Sequence, residues 1–162
     1  MGLRLAYRGF VAGLAGGYVW AAVAMLLGAA LHADPLRALR PFALAISPLA
    51  GSSELSFVIG LAAVQLGGGL IGMCFAYFLA RFFTVHPTLW VAAPVVALLA
   101  WSLIGAVIAR EVPEAGLATQ AVPLLATIGY GVMLAARVPV RGEVTRRAVP
   151  ATIPPQTREA RR

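Results

Sequence analysis

Polar and apolar positions alternate in long blocks. Residues 10–31, 56–80, 89–109 and 116–136 contain no Asp, Glu, Lys, Arg or His. Each block reaches or passes the roughly 20 residues with which an α-helix crosses about 30 Å of hydrocarbon. The pattern predicts an all-α, four-helix transmembrane bundle, with residues 1–137 as one membrane domain and residues 138–162 as a tail. The first block follows a basic start (Arg4, Arg8), but 22 apolar residues exceed the hydrophobic core of a signal peptide, so it is read as a retained helix.

Between the first two blocks, residues 32–55 are only half polar. Asp34-Pro35 reads as a helix N-cap with proline at the first helical position. Leu36 and Leu39 then alternate with Arg37 and Arg40 as on an interfacial helix, which Pro41 should end or bend. Residues 42–49 are apolar but too short to span, and Gly51, Ser52 and Ser53 break them. The expectation is an outer loop partly embedded in the membrane, either lying over the bundle or re-entering it to line a cavity.

Small residues recur at helical spacing. Gly9, Gly13 and Gly17 form a row continued by Ala21, and Gly60, Gly68 and Gly72 form a second row continued by Ala76 and Ala80. In lipid, helices associate through close van der Waals contact, and glycines let backbones approach. The two rows are expected to pack helices, within the chain, against a membrane-protein partner or against a second copy. The triplet Gly67-Gly68-Gly69 is a candidate bend, and Pro94 and Pro123 are tolerated within spans.

Charge orients the chain. An even number of spans puts both termini on one side, leaving ten arginines there (Arg4, Arg8, Arg81, Arg137, Arg141, Arg146, Arg147, Arg158, Arg161, Arg162) against three opposite (Arg37, Arg40, Arg110). Under the positive-inside rule both ends face the cytoplasm. Asp34, Glu54, Glu111 and Glu114 fall outside, and Glu143 and Glu159 inside. The net charge of +7 comes from arginines flanking apolar spans. It therefore points to anionic lipid headgroups, with Arg4, Arg8, Arg81, Arg137, Arg141, Arg146 and Arg147 as the contacts, and not to nucleic acid. The tail, basic and proline-containing, is expected to be disordered. All 13 basic residues are Arg, which with abundant Ala and Gly suggests a GC-rich bacterial genome and an inner-membrane location.

The chemistry on offer is sparse. Charges at membrane depth usually mark pumps, exporters and voltage sensors, and the spans carry none. His32 and His86 lie at opposite ends of spans, so a bis-histidine haem does not fit. Cys74 stands alone, without a disulfide or thiolate-metal partner. No catalytic, metal or cofactor motif is found, and the glycines follow no strand, as a phosphate-binding loop would require. An enzyme at the outer surface through His32, Asp34 and Glu54 matches no known spacing.

What remains at depth is Gln65, Ser102, Thr119, Gln120, Thr127 and Tyr130, with Trp20 and Trp101 away from the interfacial belt where tryptophan is usual. Two readings stay open. Interhelical hydrogen bonds with the tryptophans filling the bundle would fit a small non-catalytic accessory or scaffold subunit packing through glycine faces. A mid-membrane cavity at Trp20, Gln65, Trp101, Ser102 and Thr127 would fit a transport or lipid- or quinone-binding protein.

Overall fold

The computed structural model describes residues 2–50, 52–79, 82, 86–112 and 121–138. Residues 139–162 of the tail, Arg81, Arg141, Arg146 and Arg147, and the start of the fourth apolar block with Glu114, Thr119 and Gln120 lie outside the described residues. The described chain is all helical: α1 (Gly2–His32), α2 (Arg40–Ile46), α3 (Ser53–Cys74) continued by a π-helical turn (Phe75–Leu79), α4 (His86–Glu111) and α5 (Ala121–Arg137). Among the described residues, three stretches are long and apolar enough to cross a membrane: Leu3–His32, Ser53–Leu79 and Pro87–Arg110. They are compatible with an integral membrane protein. α5, with 17 described residues, rises only about 26 Å.

The bundle is built inside out relative to a water-soluble one. Its interior is lined with small residues: Ala12, Ala21, Ala24, Ala76, Ala93, Ala97, Ala126 and Ala135 are all buried. Its outer surface carries Leu26, Leu66, Leu99 and Leu103, each at least 60% exposed. Water penalises such a surface and lipid does not.

α1 is the central helix, packed on α3 along one side and on α5 along the other, and α4 packs on α5. Gly13 meets Gly68, Gly17 meets Val64, Gly16 meets Tyr130, and Gly131 meets Pro94. As the number rises on one helix it falls on its neighbour, so each packed pair is antiparallel. The order round the bundle is α3–α1–α5–α4, and α2 packs on both α3 and α4 across the remaining side. Arg4, Arg8 and Arg137 gather at one end of the bundle. Asp34, Arg37, Arg40, Glu54 and Arg110 gather at the other.

Several local expectations change. The basic start is no separate arm, because α1 is helical from Gly2. A charge-free window finds hydrocarbon, whereas exposed Arg4 and Arg8 are comfortable on a helix that projects past it. Pro41 begins a helix instead of ending one. It sits in the first turn of α2, where its fixed φ and missing N–H cost nothing. The Asp34 side chain starts a turn, its Oδ1 accepting from Leu36 N–H at 3.0 Å. Its other oxygen meets Arg40 at 3.3 Å, a half-exposed pair worth about 0–1 kcal/mol. The glycine triplet lies within the unbroken α-helix α3, and the hydrogen-bonding register changes later, at Phe75–Leu79.

The α2 segment folds inward. Leu39 and Ala43 are fully buried and Phe42 nearly so, while Arg37 and Arg40 stay exposed. Leu39 presses on Gly60, its Cβ 3.1 Å from where a methyl there would stand. Gly60 lies seven residues into α3, about 11 Å along the helix. Ser52 Oγ accepts from Leu55 N–H at the start of α3, and Ser56 Oγ donates to Ala50 O, fastening the return.

Candidate functional site

The first feature built by the glycines is a seam. Gly9 lies on Gly72 and Ala76, Gly13 on Gly68 and Gly69, and Gly17 on Val64 and Gln65. A methyl on Gly13 would overlap the Gly68 carbonyl, so only hydrogen fits. Gly60 leaves this row and serves α2 instead. The Gln65 amide, oriented so that both its groups are satisfied, donates to Leu14 O at 2.8 Å and accepts from Tyr18 N–H at 3.1 Å. It thereby ties α3 to α1. Gly9, Gly13, Gly17, Gly68 and Gly72 are thus engaged within the chain.

The second feature is a cavity of about 130 Å³ beside this seam, with which it shares Gly17, Val64 and Gly68. Every helix contributes to its wall: Trp20 from α1, Phe42 from α2, Gly67 from α3, Trp101 from α4, and Thr127 and Tyr130 from α5. It lies between α3 and α4, under α2. Gly67 marks the opening, since a methyl there would find nothing within 4 Å. Ala63 and Ile71 of α3 and Ala97 and Ile104 of α4 complete the walls.

The aromatic rings of the wall hold one another. Trp20 and Trp101 have centroids 4.7 Å apart at 39°. Phe42 stands edge-on to Trp20 at 5.7 Å and tilted against Trp101 at 5.4 Å. Trp20 and Trp101 are 3% and 7% exposed, so both sit inside the bundle and neither anchors an interface. Phe42 reaches them because α2 dips inward.

The hydrogens of the polar side chains around the cavity are nearly all placed. Trp20 Nε1–H donates to Thr127 Oγ1 at 3.1 Å. Thr127 Oγ1 donates to Pro123 O at 2.8 Å, one helical turn earlier. Tyr130 Oη donates to Gly68 O at 2.7 Å, tying α5 to α3 beneath the cavity. The exception is Trp101, whose buried Nε1–H has no acceptor among the described residues. An indole N–H can only donate, and a buried donor left unpaired costs about 1–3 kcal/mol.

The structure therefore divides the residues expected at one cavity. Trp20, Trp101 and Thr127 line it. Gln65 does not, because its amide turns to α1. Ser102 does not, because it is exposed on the outer face of α4. The sequence marks Tyr130 only as a polar group at depth, Gly67 as part of a bend, and Phe42 as part of a segment that either lies over the bundle or re-enters it to line a cavity; all three belong to the wall. The available signal for Phe42 was a single aromatic residue in an apolar piece too short to span.

Elsewhere the chemistry is thin. Asp34 and Ser52 are committed to turns and caps. Among the described residues, no group of three or more His, Cys, Asp or Glu is placed to hold a metal ion. Cys74 is exposed. Arg4 and Arg8 flank a shallow apolar surface that includes Leu3, Tyr7 and Phe10. Comparison with protein families, with characterised proteins and with solved structures finds no match to the chain.

Proposed function

We propose that this chain is a non-catalytic, four-span integral membrane protein that holds an apolar membrane-resident molecule in the cavity between α3 and α4. The observation that carries this reading is the cavity of about 130 Å³ between α3 and α4, walled by Trp20, Phe42, Trp101 and Tyr130. Ligand pockets are concave and mostly apolar, with a few placed polar groups. Entry between α3 and α4 would let a lipid-like molecule reach the cavity without passing through water. The alternative, an accessory subunit, drew on glycine rows free for a partner. Since those rows are filled inside the chain, the ligand reading takes precedence.

The setting is a bacterial inner membrane with both termini cytoplasmic. Arg4, Arg8 and Arg137 then stand at the inner surface, where contact with anionic lipid contributes on the order of 1 kcal/mol per arginine. In a Cys74→Ala background, Glu54→Cys and Glu114→Cys should both react with a membrane-impermeant maleimide on intact cells. Arg8→Cys should react only after permeabilisation. Labelling of the two glutamate positions from opposite sides would overturn the four-span count.

Ligand occupancy is tested at Gly67. Protein purified in mild detergent should release an apolar molecule on organic extraction, near one per chain. Gly67→Leu, which puts a side chain into the opening, should release little while remaining folded and monodisperse. Equal yields from both proteins would remove the cavity as the binding place.

A further inference from the structure

Resting on the membrane reading above and not on the cavity between α3 and α4, we infer that the end of the bundle where α1 begins holds one anionic glycerophospholipid. Its phosphate lies between Arg4 and Arg8, and an acyl chain runs along Phe10 and Met73. This turns the general attraction of those arginines for anionic lipid into a site with a single occupant. Leu3, Arg4, Tyr7, Arg8 and Phe10 of α1 border, with Met73 of α3, a shallow concavity of about 640 Å³. That volume falls within the roughly 300–1,000 Å³ of small-molecule sites.

Aromatic rings fix the level of this surface. α1 and α3 run antiparallel with Gly9 on Gly72 and Ala76, so Tyr7 and Tyr77 stand at nearly the same height. Tyr7, Tyr77 and Phe78 are all exposed, and the Tyr77 and Phe78 rings meet edge to face at 4.8 Å. Exposed tyrosines collect at the boundary between hydrocarbon and headgroups. Arg4 lies about 4.5 Å farther out along α1 than Tyr7, and Arg8 about 1.5 Å farther in. Their long stems let both guanidinium groups reach outward to phosphate level. Phe10 opens the charge-free stretch 10–31, so the apolar side of the concavity begins where acyl chains begin.

Charge selects the head group. Arg4 and Arg8 are four residues apart on one helix, which sets their Cβ atoms about 5–6 Å from each other. One phosphate can bridge that span, accepting hydrogen bonds from both guanidinium groups. Both arginines are exposed, and neither has an ion-pair partner among the described residues. The described acids, Asp34, Glu54 and Glu111, all stand at the other end of the bundle. A zwitterionic head would bring a cation beside the same arginines, and a second copy in the same orientation would bring further arginines to this level. A soluble phosphate would leave the Leu3, Tyr7 and Phe10 surface uncovered. An anionic head on an apolar chain satisfies both parts of the surface.

The test is native mass spectrometry of the full chain in mild detergent, with phosphatidylglycerol and phosphatidylcholine of identical acyl chains at equal mole fraction and, separately, glycerol 3-phosphate. The expected result is a one-to-one phosphatidylglycerol adduct, about tenfold weaker for phosphatidylcholine and absent with glycerol 3-phosphate. Arg4→Gln and Arg8→Gln should each weaken it about fivefold. Tyr7→Ser, which alters the apolar wall and no charge, should weaken it about threefold through lost contact with the chain. Arg137→Gln, at the same end but outside the concavity, should leave it within about twofold of the parent. If Arg137→Gln weakens the adduct as much as Arg4→Gln does, the whole basic end attracts lipid and the single site fails, while the membrane reading stands. Equal binding of the two lipids, or an equal glycerol 3-phosphate adduct, also defeats the site. Gly67→Leu should keep the adduct. Its loss there would move the lipid to the cavity between α3 and α4, overturning this site and leaving the cavity reading intact. The comparison among probes uses the unmodified protein, so it decides the matter even where a variant is poorly folded.

Discussion

Gly72→Leu is expected to abolish the folded bundle, and Gly67→Leu, five residues earlier on the same helix, to leave it standing. Both replace a glycine by the same apolar side chain, which lipid accepts equally. The difference is what each Cβ meets. At Gly72 a Cβ would stand 2.7 Å from Gly13 Cα and 2.9 Å from Gly13 N. These are backbone atoms of α1, and no rotamer of the new residue or its neighbours can relieve the overlap. The two helices must separate, giving up the Gly9, Gly13 and Gly17 contacts together with the Gln65 bridge. Overpacking usually costs about 1–3 kcal/mol. A clash of backbone on backbone along the main seam belongs at the top of that range for Gly72→Ala and beyond it for Gly72→Leu. At Gly67 a Cβ meets nothing within 4 Å. There the glycine has no packing reason, and replacement should leave stability equal or slightly higher, since Gly is a poor helix former by about 0.5–1 kcal/mol. Melting followed by size-exclusion chromatography should show the Gly72→Leu peak aggregated at growth temperature and the Gly67→Leu peak like that of the parent. A monodisperse Gly72→Leu protein with parental melting would mean that α1 and α3 are not held at this distance.

What was legible in the chain follows from which physical signals are local. Absence of charge over 20 or more residues is local, and it located α1, α3 and α4. Glycine spacing is local, and it placed Gly9, Gly13 and Gly17 on one face. Depth is also countable, which brought Trp20, Trp101 and Thr127 to the same level. Rotation is not local in these helices. A helix apolar on all sides has no polar face to show which way it turns, so Gln65 and Ser102 shared a depth with the cavity residues and yet face elsewhere. The inward course of α2 depends on Leu39 finding Gly60 and Phe42 finding two tryptophans. These partners are distant in sequence and leave no periodic trace in seven residues. The π-helical turn at Phe75–Leu79 likewise follows no residue pattern in that stretch, which contains neither glycine nor proline. The cavity between α3 and α4 arises from contacts of all five helices, and no single segment carries it.

Trp20→Ala should be the most damaging single change at the cavity, costing about 3 kcal/mol, whereas Trp20→Phe should cost only a few tenths to one. Trp20 is 3% exposed and joins three helices, stacking on Trp101 of α4, receiving the edge of Phe42 of α2 and donating to Thr127 of α5. In water-soluble proteins truncating a buried tryptophan to alanine costs about 3–5 kcal/mol, part of it the loss of transfer from water. A helix already in lipid gains little from that transfer. What Trp20→Ala removes here is contact: the ring faces of Trp101 and Phe42 lose their partner and the cavity widens into the void. Trp20→Phe keeps most of that contact and loses the hydrogen bond to Thr127, a type of interhelical bond worth about 0.6 kcal/mol on average in membranes. Thr127 keeps its own bond to Pro123 O, so nothing is stranded on α5. Steric trapping or detergent denaturation in the presence of the unmodified lipid environment gives the two free energies. Hydrogen exchange should show residues 36–46 opening in Trp20→Ala and staying protected in Trp20→Phe, because α2 is held inward by Phe42 against the tryptophan pair. Equal losses from the two substitutions would assign the stability of this cluster to the Trp20–Thr127 hydrogen bond and not to ring packing.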